Sequence, residues 1–133
     1  MKLKKEVVAQ VVTEASTKMS DPNYSAVMVG GFVQSQTSTS QFITAHQKEL
    51  GGAEAIVNVI FHAALLGQCF QRGVGRSVRA LSFEDLDSVA GGDTLATLEM
   101  RQPSLHEFIT TNVENEDAKK LLALIALAFD HAS

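Results

Sequence analysis

Hydrophobic residues recur every three or four positions in the first segment of the chain. The recurring positions are Leu3, Val7, Val8, Val11, Val12, Ala15 and Met19. This spacing aligns them on one stripe of an α-helix, which burial of the stripe would stabilise. The helix is expected to end at Asp21-Pro22-Asn23, because a residue that precedes proline is pushed out of the helical region.

A long uncharged segment follows, from Tyr24 to Ala45. Its first apolar part, Ala26 to Val33, favours a helix, although its β-branched valines also suit a strand. Gly30 and Gly31 each disfavour a helix interior by about 1 kcal/mol, so their presence there needs a physical reason. Small residues at such a position allow another helix backbone to approach closely.

A third helix is expected before the double glycine Gly51-Gly52. Ser38 or Thr39 suits its N-cap, and the double glycine suits its C-terminal end. Its apolar face consists of Phe42, Ile43, His46 and Leu50.

The segment from about Ala53 to Arg72 is apolar on nearly all sides. Helices of this kind are generally buried on most faces, so we expect this one at the centre of the fold, ending at Gly73 and Gly75. Its length approaches that of a membrane span, but the polar side chains within it would be costly in lipid. A core helix and no membrane contact are therefore expected.

Further helix starts are predicted in the second half of the chain, each from a capping residue or a proline. The signals are Ser82 with Asp85, Asp93 or Thr94, Pro103, and Asn115. The last helix carries the apolar run Leu121 to Phe129, which is too short to span a bilayer. Together these patterns predict an all-α fold: one compact domain, residues 1–133, built as a bundle of about six or seven helices around a central buried helix at about 53–72.

Composition and charge narrow the class of protein. The 133 residues suit one domain, and 45% hydrophobic with 20% charged residues are typical of a folded soluble one. A net charge of −4 argues against nucleic-acid binding. The single cysteine excludes an intramolecular disulfide, so we expect the cytoplasm. Polar residues at Glu6, Gln10 and Glu14 interrupt what would be the apolar part of a secretory signal.

The apolar segment 53–72 carries three polar residue types that invite a chemical interpretation. Asn58 and His62 lie four positions apart and share a helix face. Cys69 lies about 10 Å further along the axis, too far from His62 for a nucleophile–base pair, so its base would be His46 or His106. We interpret Asn58, His62 and Cys69 as core residues; the alternative is a ligand pocket formed by these three with His46 and His106.

The histidines also suggest two other kinds of site, a metal site and a phosphorylated histidine. His46, His62 and His106 would suffice for a three-histidine metal site, but no H-E-x-x-H motif or paired-cysteine spacing supports one. His62 with Gly67 resembles in part the His, then Lys-Gly, pattern of histidine phosphotransfer bundles, with Leu66 in place of the lysine and the glycine one position late. We predict no metal and no cofactor, assign no catalytic residue, and leave open whether the protein is an enzyme.

Arginine and glycine alternate after the central segment. Backbone N–H groups and the guanidinium groups of Arg72, Arg76 and Arg79 could hold an anion there. The segment lacks the residue order of a P-loop, and the end of a helix explains it more economically.

The amount of apolar sequence is the basis of the functional prediction. The uncharged Ser25–Ala45, the apolar Ala55–Phe70 and the run Leu121–Phe129 offer more apolar surface than a small monomer readily buries, and the remainder tends to become interface. We predict a non-enzymatic protein-interaction or assembly module that forms a homodimer or higher oligomer, with another protein as a further partner. The alternative is a small-molecule-binding protein or enzyme with a pocket near His62 and Cys69.

Overall fold

The structure, a computed structural model, describes residues 2–133, and the regular elements in that range are all helices. They are α1 (Lys5–Lys18), α2 (Tyr24–Ser35), α3 (Thr37–Thr44), α4 (Gln47–Leu50), α5 (Ala53–Val74), α6 (Phe83–Ser88), α7 (Thr94–Arg101), α8 (Pro103–Asn112) and α9 (Glu116–Ala132). The predicted all-α class is confirmed, and the strand alternative for 26–33 is wrong. The described residues form nine helices, more than the six or seven expected, in part because the third predicted helix divides into α3 and α4 at His46.

One hydrophobic core joins residues from Leu3 to Phe129. Within it, α9 is the enclosed helix, because every residue from Leu121 to Phe129 is buried. Helices α4 to α8 all pack against α9. The segment 53–72 is helical as predicted, but its burial is confirmed for one face only, since Val57 is 47% exposed and Asn58 is also exposed.

Two glycines near the end of α5 have different roles. Gly73 lies inside the helix instead of ending it, and the Leu3 side chain occupies the space that a side chain at Gly73 would need. Gly75 ends the helix with φ +85°, a left-handed conformation that glycine adopts without steric cost.

Two buried glutamine side chains hold segments that are not helical. Gln36 donates from Nε2 to the Arg79 carbonyl oxygen at 3.0 Å and accepts from the Leu81 N–H at 2.8 Å. Gln102 accepts from the Leu3 N–H at 2.8 Å and donates to Asp130 at 2.8 Å. The first glutamine fixes the segment between α5 and α6, and the second fixes the chain ahead of α1.

Helix α5 is long and apolar enough, by length and composition, to cross a bilayer, with a mean hydropathy of 1.5 over its most apolar window. Half of that window is buried against the rest of the chain.

Candidate functional site

Asn58 and His62 lie at the margin of the protein, not in its core. Asn58 is exposed and His62 is half-buried on α5. The His62 Nδ1 atom lies 2.8 Å from the Asn58 carbonyl oxygen, and its ring packs near Phe61 and Phe108, with centroids 5.7 and 6.1 Å away. The prediction that both residues are buried is therefore wrong, because neighbouring helices cover only one face of α5.

Cys69 is fully buried, as predicted, and no described side chain hydrogen-bonds to its thiol. Burial raises the pKa of the Cys69 thiol to about 12. The group is therefore a neutral thiol at physiological pH, whereas a nucleophilic cysteine needs its thiolate form. These properties match a small hydrophobic core residue.

The other two candidate histidines have separate surroundings. His46 follows α3, with Nδ1 2.8 Å from the Phe42 carbonyl oxygen and its ring 4.9 Å from the Phe42 ring. His106 lies on α8, with Nδ1 3.9 Å from a carboxylate oxygen of Glu99 on α7. Across residues 2–133, no group of three or more His, Cys, Asp or Glu residues could hold a metal ion. His46, His62 and His106 thus do not converge as a metal site.

Two of the three candidate anion-binding arginines already bind carboxylates. Arg72 pairs with Glu14, and Arg79 donates to both carboxylate oxygens of Asp85 at 2.7 and 2.9 Å. Arg76 is exposed and has no carboxylate partner within the described range. Arg72 and Arg76 line one surface depression, but Arg79 does not. This depression adjoins the C-terminal end of α5, whose carbonyl groups disfavour an anion.

Helix α2 presents an uncharged face that no other part of the described chain covers. It has no charged residue, and Phe32 is its only buried residue. Val27, Gly30, Gly31 and Gln34 are exposed, and their spacing places them on one side of the helix. We call these four residues the α2 seam. Val27 is 69% exposed, a large fraction for an apolar side chain.

The glycines of the α2 seam are not required by packing within the chain. A Cβ atom added to Gly30 or Gly31 would meet nothing within 4 Å, and neither residue has a positive φ. Alanine would therefore fit at both positions and favour the helix by about 1 kcal/mol each.

An apolar groove of about 320 Å³ runs beside the α2 seam, between α2 and α5. Its lining includes the small residues Gly31, Ala64 and Gly67, and also Val27 of the α2 seam. A Cβ atom on Gly67 would already touch the Phe129 ring at 3.7 Å, so the groove lies directly over the core.

A second cavity, of about 540 Å³, is lined by neither His62 nor Cys69. Of the predicted ligand-binding residues, only His46 does. Sequence reasoning missed the acidic and basic residues of its wall. The spacing of Asp117, Lys120, Leu121 and Leu124 on α9 is the signal that could have placed them on one face.

Comparisons of the chain with protein-family models, curated proteins and solved structures found no match. Its fold and surfaces define an all-α protein with one uncharged helix face open to solvent.

Proposed function

We propose that this chain is a self-associating assembly module in which two copies pack through the α2 seam. The observation that carries the proposal is an exposed, uncharged helix face with two glycines that packing within the chain does not use. Glycine in a helix interior persists more readily where its missing side chain lets another backbone approach.

A second copy of the chain suits this face because of its lack of charge. In a two-fold symmetric dimer the same surface meets itself, so a charge near the axis would lie close to its own copy. The sequence carries no charged residue from Tyr24 to Ala45, so such repulsion is absent along the whole of α2.

The groove beside the seam gives Val27 a place in the dimer. Helix axes usually pack about 8–10 Å apart, and glycines permit the closer end of that range. At this distance Val27 of one copy would enter the groove of the other, between Gly31, Ala64 and Gly67. The exposed side chain and the unfilled groove are then complementary.

The size of the surface sets the strength of association. The 12 residues of α2 form a helix about 18 Å long. One helix face with its flanks provides less than the roughly 800 Å² per partner of a standard stable interface. We therefore expect a concentration-dependent dimer with a dissociation constant in the micromolar range, about 1–100 μM.

Sedimentation velocity over a protein concentration range of about 1 to 300 μM tests the proposal. The parent chain is expected to shift from monomer to dimer. Val27→Lys should remain monomeric at every concentration, because the dimer would bury two opposed ammonium groups. Met100→Lys is the matched control: it changes a 74% exposed apolar residue on α7 and should leave association intact.

Two glycine substitutions give a second test, because each should stabilise the monomer but weaken the dimer. Gly30→Ala and Gly31→Ala should each raise the free energy of unfolding of the dilute monomer by about 0.5–1 kcal/mol. Both should weaken dimerisation, because the added methyl groups hold the helices apart. A parent that stays monomeric throughout, or alanine variants that associate as tightly as the parent, would refute the proposal.

A further inference from the structure

The cavity of about 540 Å³ lies between α3–α4, the loop that precedes α7, and the first half of α9. Its apolar lining includes Phe42, Leu50, Leu121 and Leu124. The three leucines are themselves buried in the core and provide a firm floor. Cavities of this volume with an apolar floor suit small organic ligands.

The charges around this floor are unequal. Three carboxylates line the cavity, from Glu49, Asp93 and Asp117, against the single ammonium group of Lys120. Asp93 already accepts a hydrogen bond from the Ala96 N–H as the N-cap of α7. No ion pair joins the other three charged groups to any described residue, so the carboxylates of Glu49 and Asp117 remain available.

His46 adds a further hydrogen-bond acceptor. Its Nδ1 atom lies 2.8 Å from the Phe42 carbonyl oxygen, which can only accept, so Nδ1 carries the proton. In the neutral ring, Nε2 is then the acceptor. The ring also packs against Phe42, with centroids 4.9 Å apart, and this contact restricts its orientation.

We propose that this cavity binds a cationic amphiphile, a primary amine attached to an apolar body. The apolar body would lie on the leucines and Phe42. Its ammonium group would donate to Glu49, Asp117 and the Nε2 atom of His46, which together offer acceptors and net negative charge. The same carboxylates would repel an anionic ligand.

The amine site is separate from the proposed dimer surface. No residue of α2 lines the cavity. Substitutions in either place therefore leave the other intact, and each proposal can fail without the other.

Four probes with one phenyl body and different head groups test the site. They are 2-phenylethylamine, 2-phenylethanol, 3-phenylpropionate and phenylalanine, titrated into ¹⁵N-labelled protein and followed by amide chemical shifts. The amine is expected to bind about five-fold tighter than the alcohol, with added salt reducing the difference. The carboxylate probe should bind most weakly, and the shifts should concentrate at the residues that line the cavity.

The remaining outcomes separate the amine from other ligands. If phenylalanine binds tighter than the amine, Lys120 holds a ligand carboxylate, and the site is one for zwitterions, which overturns the proposal. Equal affinities for amine, alcohol and carboxylate would also overturn it, since charge would then play no part.

Single substitutions with a matched control test which carboxylates strengthen amine binding. Glu49→Gln and Asp117→Asn should each weaken amine binding about three-fold while leaving the alcohol unaffected. Glu116→Gln is the control. It also removes a negative charge in the first turn of α9, but Glu116 does not line the cavity. Ala90→Phe, at an exposed lining position, should block all four probes. A control that weakens the amine as much as Glu49→Gln does would contradict the site.

Discussion

The Leu3 side chain fills the space beside Gly73 that a Cβ atom at this position of α5 would occupy. Leu3 is only 4% exposed, so its burial depends on the missing side chain at Gly73. This glycine has a clear use within the chain, whereas Gly30 and Gly31 face open space. Packing within the chain therefore requires a glycine at position 73 but not at positions 30 and 31.

Gly73→Ala is expected to destabilise the protein by about 1 kcal/mol, although alanine favours a helix. Burial of the Leu3 side chain contributes about 2 kcal/mol to stability, and most of this is lost when Leu3 is displaced. This loss exceeds the gain of about 1 kcal/mol in helix propensity. Urea denaturation of both single variants and the double variant measures the effect. In a Leu3→Ala background the same substitution should be neutral or stabilising, and a loss of similar size in both backgrounds would contradict the contact.

The Arg79–Asp85 pair predicts a pH dependence of stability. Hydrogen bonds from the Arg79 guanidinium, followed by the Ser82 backbone N–H, lower the pKa of the Asp85 carboxyl in the folded protein. The contribution of the Asp85 carboxylate to the free energy of unfolding is therefore fully present above the unfolded pKa of about 4. It is lost progressively as the pH falls from there through the lower pKa of the folded protein. Asp85→Asn should cost about 1–2 kcal/mol at neutral pH and distinctly less at about pH 3.

Urea denaturation at the two pH values provides the measurement for Asp85. Asp87→Asn is the control, since Asp87 is exposed on the same helix and has no ion pair in the described chain. It should change stability little at either pH. An Asp85→Asn cost that is the same at both pH values would show that the carboxylate charge is unimportant.

Cys69 should resist thiol reagents in the native protein. Burial holds the pKa of its thiol at about 12, and the reagent reaches it only when the core opens. We expect modification by 5,5′-dithiobis(2-nitrobenzoate) at pH 8 to be at least about 100-fold slower than in denaturant. Rapid native labelling would contradict this. Cys69→Ser should cost more stability than Cys69→Ala, because it buries a hydroxyl without a partner.

Local signals in the sequence predicted several helix starts correctly, but the predicted N-cap of the third helix is wrong, because α3 begins at Thr37 and includes Ser38 and Thr39. Ser82 and Asp85 form the predicted reciprocal cap of α6, and the side chains of Asp93 and Asn115 cap α7 and α9. These signals act through hydrogen bonds to residues two or three positions away, so a single sequence contains all the partners involved.

The candidate site was less predictable because its parts are distant in sequence. The sequence indicates His46 as a candidate, but Asp93 and Asp117, which line the same cavity, lie more than 40 positions away, before α7 and on α9. Gln36 and Leu81 are 45 positions apart, and nothing near either residue in sequence indicates their hydrogen bond.

The sequence by itself determined the all-α class, the positions of several helix starts and the lack of charge along α2, because these depend on residues close together in the chain. Only the tertiary structure decided that α9 is enclosed, that α5 exposes His62, and that the α2 seam is uncovered. An apolar helix can be buried by its own chain or left open to solvent, and the choice depends on where the remaining helices pack.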